Sequence, residues 1–265
     1  MQITVISGLC AIVFYLIATV LQGRNLTSSQ NTQSHILALG ILAVIAHALS
    51  AYGVIRTNSG YHFGVFEIST LITVSISIVV LISSLKKPLQ NLFLGTFPLA
   101  IITIALSLIL DSTYPPTDMS VALASHVLIS ILAYSFFTIA ALQAAFLAYQ
   151  NHQLKHAHPG GVLSKFPPLQ DMEAFLFELL WVGQLLLSLG ILVGLVFIDD
   201  FWSLDGIPHK TILSILAWIV FAVLLWGRHQ LGWRGQTAIR GTLGGFALLI
   251  LAYYGTKFVL EFILS

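Results

Sequence analysis

Long apolar runs alternate with short polar or glycine- and proline-rich joints along the 265 residues of the chain. Each run is close to the length of about 20 residues that an α-helix needs to cross a bilayer core. None shows the strict apolar–polar alternation of a transmembrane β-strand. The pattern therefore predicts an all-α, polytopic transmembrane helix bundle. The eight predicted spans are about 3–22, 36–55, 63–85, 89–110, 121–149, 174–198, 211–227 and 239–263.

Composition supports a membrane protein over a soluble globule. Hydrophobic residues make up 57% of the chain, charged residues 8%, and the mean hydropathy is +0.94. Soluble domains carry roughly 25% charged residues because their surface faces water. No linker is long enough to divide the chain, so we expect a single membrane domain over residues 1–265. The net charge of +1 gives no reason to expect a nucleic-acid partner.

The first run and the distribution of charge predict the topology. Residues 3–21 lack the basic leader and cleavage site of a secretory signal, so we expect a retained first helix. With eight spans, both termini share one side, which carries three basic and seven acidic residues, a net −4. The opposite side carries eight basic and three acidic residues, a net +5. Because Lys and Arg concentrate in cytoplasmic loops, we expect both termini outside.

Nine histidines form the first group of candidate functional residues. On the predicted topology, His62, His126 and His209 lie at the outer ends of the third, fifth and seventh helices. Neutral imidazole is a good axial ligand for haem iron, and two histidines from facing helices can hold one haem. The alternative is that each histidine is only a polar residue at the membrane interface. The residues by themselves leave both interpretations open.

The same outer surface offers the other groups that a haem requires. Phe201 and Trp202 would form an aromatic wall for the ring. Arg56 and Lys210 would meet the propionates as cations. Glu67 has no obvious local partner, and an intramembrane carboxyl is a candidate functional group.

Two other polar pairs have simpler interpretations. His152 and His156 are four residues apart and have the spacing of a divalent-metal site. No carboxylate or cysteine is near in sequence, so a solvated segment facing anionic lipid is the favoured interpretation. Lys257 and Glu261, also four apart, are expected to neutralise each other across one helical turn.

Glycine-containing segments predict an anchor and a packing face. The segment Gly232-Trp233-Arg234-Gly235 is expected to be an interfacial anchor. Gly241, Gly244 and Gly245 are expected to allow close helix approach, because small residues bring helix backbones together in membranes. Replacing Gly244 with Leu should then lower the folded yield.

Several segments together resemble a known family. They are Arg56 with Ser59-Gly60-Tyr61-His62 and Phe66-Glu67, His126-Val127-Leu128 with Ala133-Tyr134-Ser135, Leu169 to Glu173 with Gly183 to Gly194, Phe201-Trp202-Ser203-Leu204-Asp205, Trp218, Gly232-Trp233-Arg234-Gly235 and Tyr254-Gly255. At these residues the chain resembles the cytochrome c assembly superfamily (CcsA, CcmC, HemX-like), and most of all its YpjD-type inner-membrane branch. The resemblance covers about residues 50–265.

The resemblance implies roles for particular residues. It implies that His126 is a haem ligand and that Trp202 belongs to a shortened tryptophan-rich haem loop. The family's late outer histidine has no counterpart here, so His209 is the expected second ligand. Asp205 or Asp118 is expected to hold the other ring nitrogen of a ligand histidine.

We therefore expect a haem-binding or haem-transporting protein of the bacterial inner (plasma) membrane, with haem b as its cofactor. Its expected partners are the lipid bilayer and cytochrome assembly or other membrane proteins. We expect no enzymatic turnover, because the chain offers no catalytic constellation beyond iron ligation. Two alternatives remain: a haem-free regulator or scaffold of the HemX type, and a secondary transporter that uses Glu67.

Overall fold

The computed structural model describes residues 2–27, 32–57, 60–87, 89–110, 116, 119–155, 166–197 and 208–258. These residues contain eight helices that are long and apolar enough to cross a membrane. The predicted all-α polytopic bundle is therefore confirmed. The orientation of the termini stays a prediction.

The elements follow the predicted spans in order. The helices are α1 (Gln2–Thr27), α2 (Gln33–Ile55), α3 (Val65–Ser84), α4 (Phe93–Ile109), α5 (Val121–Lys155), α6 (Leu169–Phe197), α7 (Pro208–Leu231) and α8 (Gln236–Ile250). A 3-10 turn (Gln90–Leu92) precedes α4, and a π-helical turn (Leu251–Gly255) joins α8 to the short α9 (Thr256–Phe258). Strands β1 (Arg56–Thr57) and β2 (Gly60–Tyr61) form an antiparallel hairpin between α2 and α3.

The helices form two compact units. Unit 1 comprises Met1–Asp118 and Ala157–Pro167, and unit 2 comprises Met119–His156 and Pro168–Ser265. In unit 1, α1 packs on α2 and α4, and α3 packs on α2 and α4. In unit 2, α5 packs on α6 and α8, and α7 packs on α6 and α8. The single membrane domain over residues 1–265 stays a prediction.

A hydrogen-bonded polar cluster fills the interior of unit 1. His47 of α2 is completely buried, with Nδ1 3.3 Å from the Tyr15 hydroxyl and Nε2 3.2 Å from the Thr70 hydroxyl. The hydroxyls of Thr73 and Thr103 lie 2.6 Å apart and join α3 to α4. Lipid offers no hydrogen bonds, so buried polar groups must find partners within the protein. His47 therefore holds α1, α2 and α3 together.

A layer of two aromatic rings between two glycines fills the middle of unit 2. The rings of Phe137 (α5) and Phe221 (α7) stack with centroids 4.1 Å apart. A methyl group on Gly183 (α6) would lie 3.0 Å from the Phe137 ring, and one on Gly245 (α8) would lie 2.6 Å from the Phe221 ring. We call these four residues the glycine–phenylalanine layer. Because neither glycine carries a side chain, all four helices approach closely at this level.

The structure corrects the expected packing face of α8. Gly245 packs on Phe221 and Gly241 on Leu224, as predicted. Gly244 is exposed, and no described atom lies within 4 Å of where its Cβ would be. The prediction that Gly244 packs against a neighbouring helix is therefore wrong, because the packed stripe runs through Gly241 and Gly245.

Candidate functional site

His126 lies near the start of α5 and is bound to the backbone of α6. Its Nδ1 is 3.0 Å from the carbonyl oxygen of Gly190. A carbonyl oxygen only accepts hydrogen bonds, so Nδ1 carries the proton and donates. In neutral imidazole the other nitrogen, Nε2, then holds a lone pair. His126 is thus held in the tautomer that ligates a metal through Nε2.

Gly190 lies where α6 packs on α5. A Cβ there would lie 3.6 Å from both the Ile129 and the Ser130 side chains of α5. A methyl group would therefore fit in ordinary van der Waals contact, whereas a larger side chain would push α5 away from α6. Sequence reasoning missed the hydrogen bond between His126 and Gly190, because 64 residues separate donor and acceptor.

The second ring nitrogen of His126 and a lysine lie in the same part of unit 2. Among the described residues, Nε2 of His126 has no hydrogen-bond partner, and the side chain is partly exposed. Histidines that ligate metals almost always donate their other N–H to a carboxylate, a carbonyl or water. The Lys210 ammonium lies close enough to act on the ring electrostatically. A metal-competent nitrogen and a cation therefore share one region of unit 2.

Three tyrosines surround the same region. The Lys210 Nζ lies 5.6 Å from the centroid of the Tyr253 ring. Tyr253 contacts Tyr134 and Tyr254 edge to face, with centroids 5.8 and 5.1 Å apart. Tyr134 donates to the Leu249 carbonyl at 2.9 Å and so fixes α5 against α8. Tyr253 and Tyr254 belong to the π-helical turn, a feature often found at functional sites. We call this region, with His126, Lys210 and Tyr253, the histidine end of unit 2.

The remaining residues predicted for this site have different outcomes. His209 begins α7 beside Lys210 and is exposed. The described residues show no hydrogen bond or ring contact between His209 and His126. Trp202, Asp205 and Asp118 lie outside the described residues. The structure thus brings Lys210 towards His126 and leaves the role of His209 as second ligand a prediction.

In unit 1, His62 and Glu67 form a pair that sequence reasoning missed. Glu67 lies in the first turn of α3 and is only 3% exposed. Its Oε1 is 3.3 Å from His62 Nδ1, whereas its Oε2 has no hydrogen-bond partner among the described residues. The hairpin and the turn into α3 bring His62 back over the start of the helix. A histidine shortly before a helix with a glutamate in its first turn was the available signal.

Arg56 has its own partner within unit 1. Its guanidinium donates to the Tyr52 hydroxyl, and its Cζ lies 5.7 Å from the Tyr52 ring centroid. This hydrogen bond raises the pKa of Arg56 above the ordinary guanidinium value, so the side chain stays charged. Its proposed contact with a propionate stays a prediction.

An ion cluster lies at the opposite end of unit 2. The Glu173 carboxylate accepts from Arg228 Nη1 at 2.8 Å, from Arg234 Nε at 3.0 Å and from the Gly235 backbone N–H at 2.9 Å. Gly232 and Gly235 have positive φ values of 66° and 54°, which glycine adopts readily. We call this region the arginine end of unit 2. The segment predicted to be an interfacial anchor is therefore a loop held by Glu173.

Two further predictions concern metals and charges. The described part of the chain contains no group of three or more His, Cys, Asp or Glu side chains that could hold a metal ion. His156 and Glu261 lie outside the described residues, so the His152–His156 and Lys257–Glu261 pairs stay predictions.

The chain is similar to known membrane proteins. Residues 35–264 match the family model described as cytochrome C assembly protein. The inner membrane protein YpjD of Escherichia coli K12 is 29% identical over 226 residues, which are 84% of this chain and 85% of YpjD. The cytochrome c biogenesis protein CcsA of Prochlorococcus marinus MIT 9515 is 23% identical over 192 residues, 61% of each chain. CcsA of Trieres chinensis is 35% identical over 102 residues, 37% of this chain and 31% of CcsA. No solved structure matches.

Proposed function

Because the chain belongs to the cytochrome c assembly protein family and is a multi-pass protein of the bacterial inner membrane, we propose that it binds haem at the histidine end of unit 2. His126 would be one axial ligand through Nε2. The proposed task is to hold haem, or to pass it on, in cytochrome c assembly, in keeping with the name of the CcsA relatives, cytochrome c biogenesis protein.

The hydrogen bond from His126 Nδ1 to the Gly190 carbonyl carries the proposal. It supports iron ligation because it sets both the tautomer and the orientation of the imidazole. A histidine with a purely structural role in the bundle is expected to have partners for both ring nitrogens, because lipid offers no hydrogen bonds. The contrast is His47, whose two ring nitrogens both have hydrogen-bond partners in the interior of unit 1.

The residues of the histidine end fit the remaining parts of a haem. Lys210 offers a cation for a propionate, and Tyr253 and Tyr254 offer aromatic surface for the porphyrin edge. His209 is the proposed second ligand, since it lies beside Lys210 in the first turn of α7. When bound, haem would supply an iron that imidazole nitrogens can ligate. The protein's own contribution is to orient the imidazoles and to neutralise the propionates.

We propose no enzymatic turnover for this chain. Ligating, enclosing and releasing haem requires no general base or nucleophile. The histidine end combines an imidazole, a cation and tyrosine rings, which suit binding more than bond cleavage.

An absorption spectrum tests the proposal directly. The protein purified from haem-replete cells should show a Soret band that shifts on reduction with dithionite. His126→Ala should remove or shift this band, whereas His152→Ala, at the other end of the same helix α5, should leave it unchanged. His209→Ala should also change the band, and His229→Ala, at the other end of α7, should not.

Two results would contradict the haem proposal. One is a wild-type protein that purifies without haem and takes up none when haem is added. The other is a Soret band that survives in both His126→Ala and His209→Ala. A melting curve for each variant in detergent distinguishes the loss of a ligand from the loss of the fold.

A second candidate function is transport through unit 1, favoured by Glu67. This carboxyl is buried, and its Oε2 has no hydrogen-bond partner among the described residues. Buried intramembrane carboxyls commonly take part in proton or ion pathways. Proteoliposomes containing a pH-sensitive dye would report proton movement, which Glu67→Gln should abolish. An equal signal from protein-free vesicles would remove this candidate.

A further inference from the structure

A cleft of about 560 Å³ lies between α7 and α8, away from the histidine end. Its α7 wall contains Ile219, Val220 and Val223, and its α8 wall runs from Gln236 to Gly241. The α7 lining begins at Ile219, and Trp233, which lies over Gly227, forms the other end, so the cleft extends along about eight residues of α7, or about 12 Å at 1.5 Å per residue. The cleft is therefore long enough for the first part of a hydrocarbon chain.

The side chains at the two ends of the cleft differ in chemistry. The deep part has only apolar side chains, contributed by α7. The shallow part has the indole of Trp233, the amide of Gln236, the hydroxyl of Thr237 and the guanidinium of Arg240. Tryptophan and arginine are typical of the headgroup level of a membrane. The cleft thus has the polarity of a phospholipid, with a polar head and an apolar tail.

The charge at the shallow end selects an anion. Arg228 and Arg234 share the single carboxylate of Glu173. Arg240 is exposed and has no ion-pair or hydrogen-bond partner among the described residues. Three arginines and one glutamate leave this region with a net charge of +2. Basic pockets between transmembrane helices commonly bind anionic lipid headgroups.

We propose that the cleft between α7 and α8 is a binding site for an anionic phospholipid. Arg240, with Gln236 and Thr237, binds the phosphate, and one acyl chain lies along Ile219, Val220 and Val223. Gly227 assists by leaving room for the indole of Trp233, which lies directly over it. The site uses none of the residues of the proposed haem site.

Native mass spectrometry of the delipidated full-length protein tests the proposal. The probes are phosphatidylglycerol and phosphatidylcholine with the same acyl chains. The wild type should bind phosphatidylglycerol about fivefold more tightly than phosphatidylcholine, which is the factor expected for one cationic side chain near the headgroup. Arg240→Gln should remove this preference, whereas Lys155→Gln, which changes a basic residue outside the cleft, should retain it.

A second pair of variants tests the apolar part. Val223→Trp should fill the cleft and weaken the binding of both lipids, whereas Leu216→Trp, two turns away on α7, should not. Equal binding of the two lipids by the wild type, or an unchanged preference in Arg240→Gln, would overturn the proposal. Displacement of the bound lipid by glycerophosphate alone would also overturn it, because this result would indicate a phosphate site. A dimer that the Val223→Trp substitution separates would overturn it too, because a second copy of the chain would then occupy the cleft.

Discussion

The two ends of unit 2 differ in how fully the polar atoms of their central side chains are hydrogen-bonded. At the arginine end, both carboxylate oxygens of Glu173 accept hydrogen bonds, from two arginines and one backbone N–H. At the histidine end, one nitrogen of His126 is bound, and the other has no partner among the described residues. The first arrangement stabilises the fold. The second holds a ring in place and leaves a ligating atom available, which is what a binding site requires.

The largest effect is expected when the arginine end loses its anion. Glu173→Ala removes the carboxylate that accepts hydrogen bonds from Arg228, Arg234 and the Gly235 N–H, and losing these hydrogen bonds to a charged group costs about 3 kcal/mol. The melting temperature in detergent should fall clearly. Glu178→Ala, an exposed acid on the same helix, is the control and should change it little. Equal melting temperatures for the two variants would show that the cluster is not structural.

The glycine–phenylalanine layer between the two ends provides the next test. Gly245→Leu must displace the Phe221 ring, and overpacking of this kind costs roughly 2 kcal/mol. Gly244→Leu adds the same side chain one residue earlier on an exposed face and should leave the melting temperature unchanged. The order of these two variants in a thermal-shift assay checks the packing of α8. A larger fall in melting temperature for Gly244→Leu than for Gly245→Leu would contradict this packing.

A smaller effect should distinguish binding from stability at the histidine end. Gly190→Ala places a methyl group at ordinary contact distance, 3.6 Å from Ile129 and Ser130, and should retain haem. Gly190→Leu should push α5 away from α6 and weaken the hydrogen bond to His126. We expect about fivefold weaker haem binding, because a hydrogen bond between uncharged groups contributes about 1 kcal/mol. Haem titration followed by the Soret band is the measurement, and equal affinities would contradict the role of the Gly190 carbonyl.

The smallest effect belongs to Arg234. Its side chain is 59% exposed, so water already screens its ion pair with Glu173. Exposed ion pairs contribute at most about 1 kcal/mol, and Arg234→Ala should therefore melt only slightly below the wild type. Arg228→Ala should lower the melting temperature more than Arg234→Ala does, because the Arg228 side chain is less exposed and also lies over the Phe177 ring. The reverse order would indicate that the loop depends more on Arg234 than its exposure suggests.

Local properties of the chain predicted the helices well. Spans were predicted because length and apolarity are carried by contiguous residues. The end of α5 and the start of α6 were missed, because these helices extend beyond the apolar runs into polar residues, such as Lys155 in α5 and Asp171 in α6. The 3-10 turn before α4 and the π-helical turn after α8 were missed as well, since neither changes the apolar pattern.

The candidate site was predicted only in part. His126 and Lys210 were identified because histidine and lysine are conspicuous among apolar residues. The partners of His126 and Glu173 lie 55 to 64 residues away along the chain, so only the packing of helices brings them together. The wrong prediction for Gly244 has the same origin. Positions i, i+3 and i+4 lie within one arc of about 100° on a helix, so the glycine pattern alone does not say that Gly244 lies at the exposed edge of that arc.

The buried histidine of unit 1 also has a consequence for how the protein is made. Along the chain, one partner of His47 is Tyr15, 32 residues earlier, and the other is Thr70, 23 residues later. When α2 enters the bilayer, the helix that carries the partner of Nδ1 precedes it, whereas the helix that carries the partner of Nε2 follows it. The first three helices are therefore the shortest nascent segment in which both nitrogens of this ring can be satisfied within the bilayer.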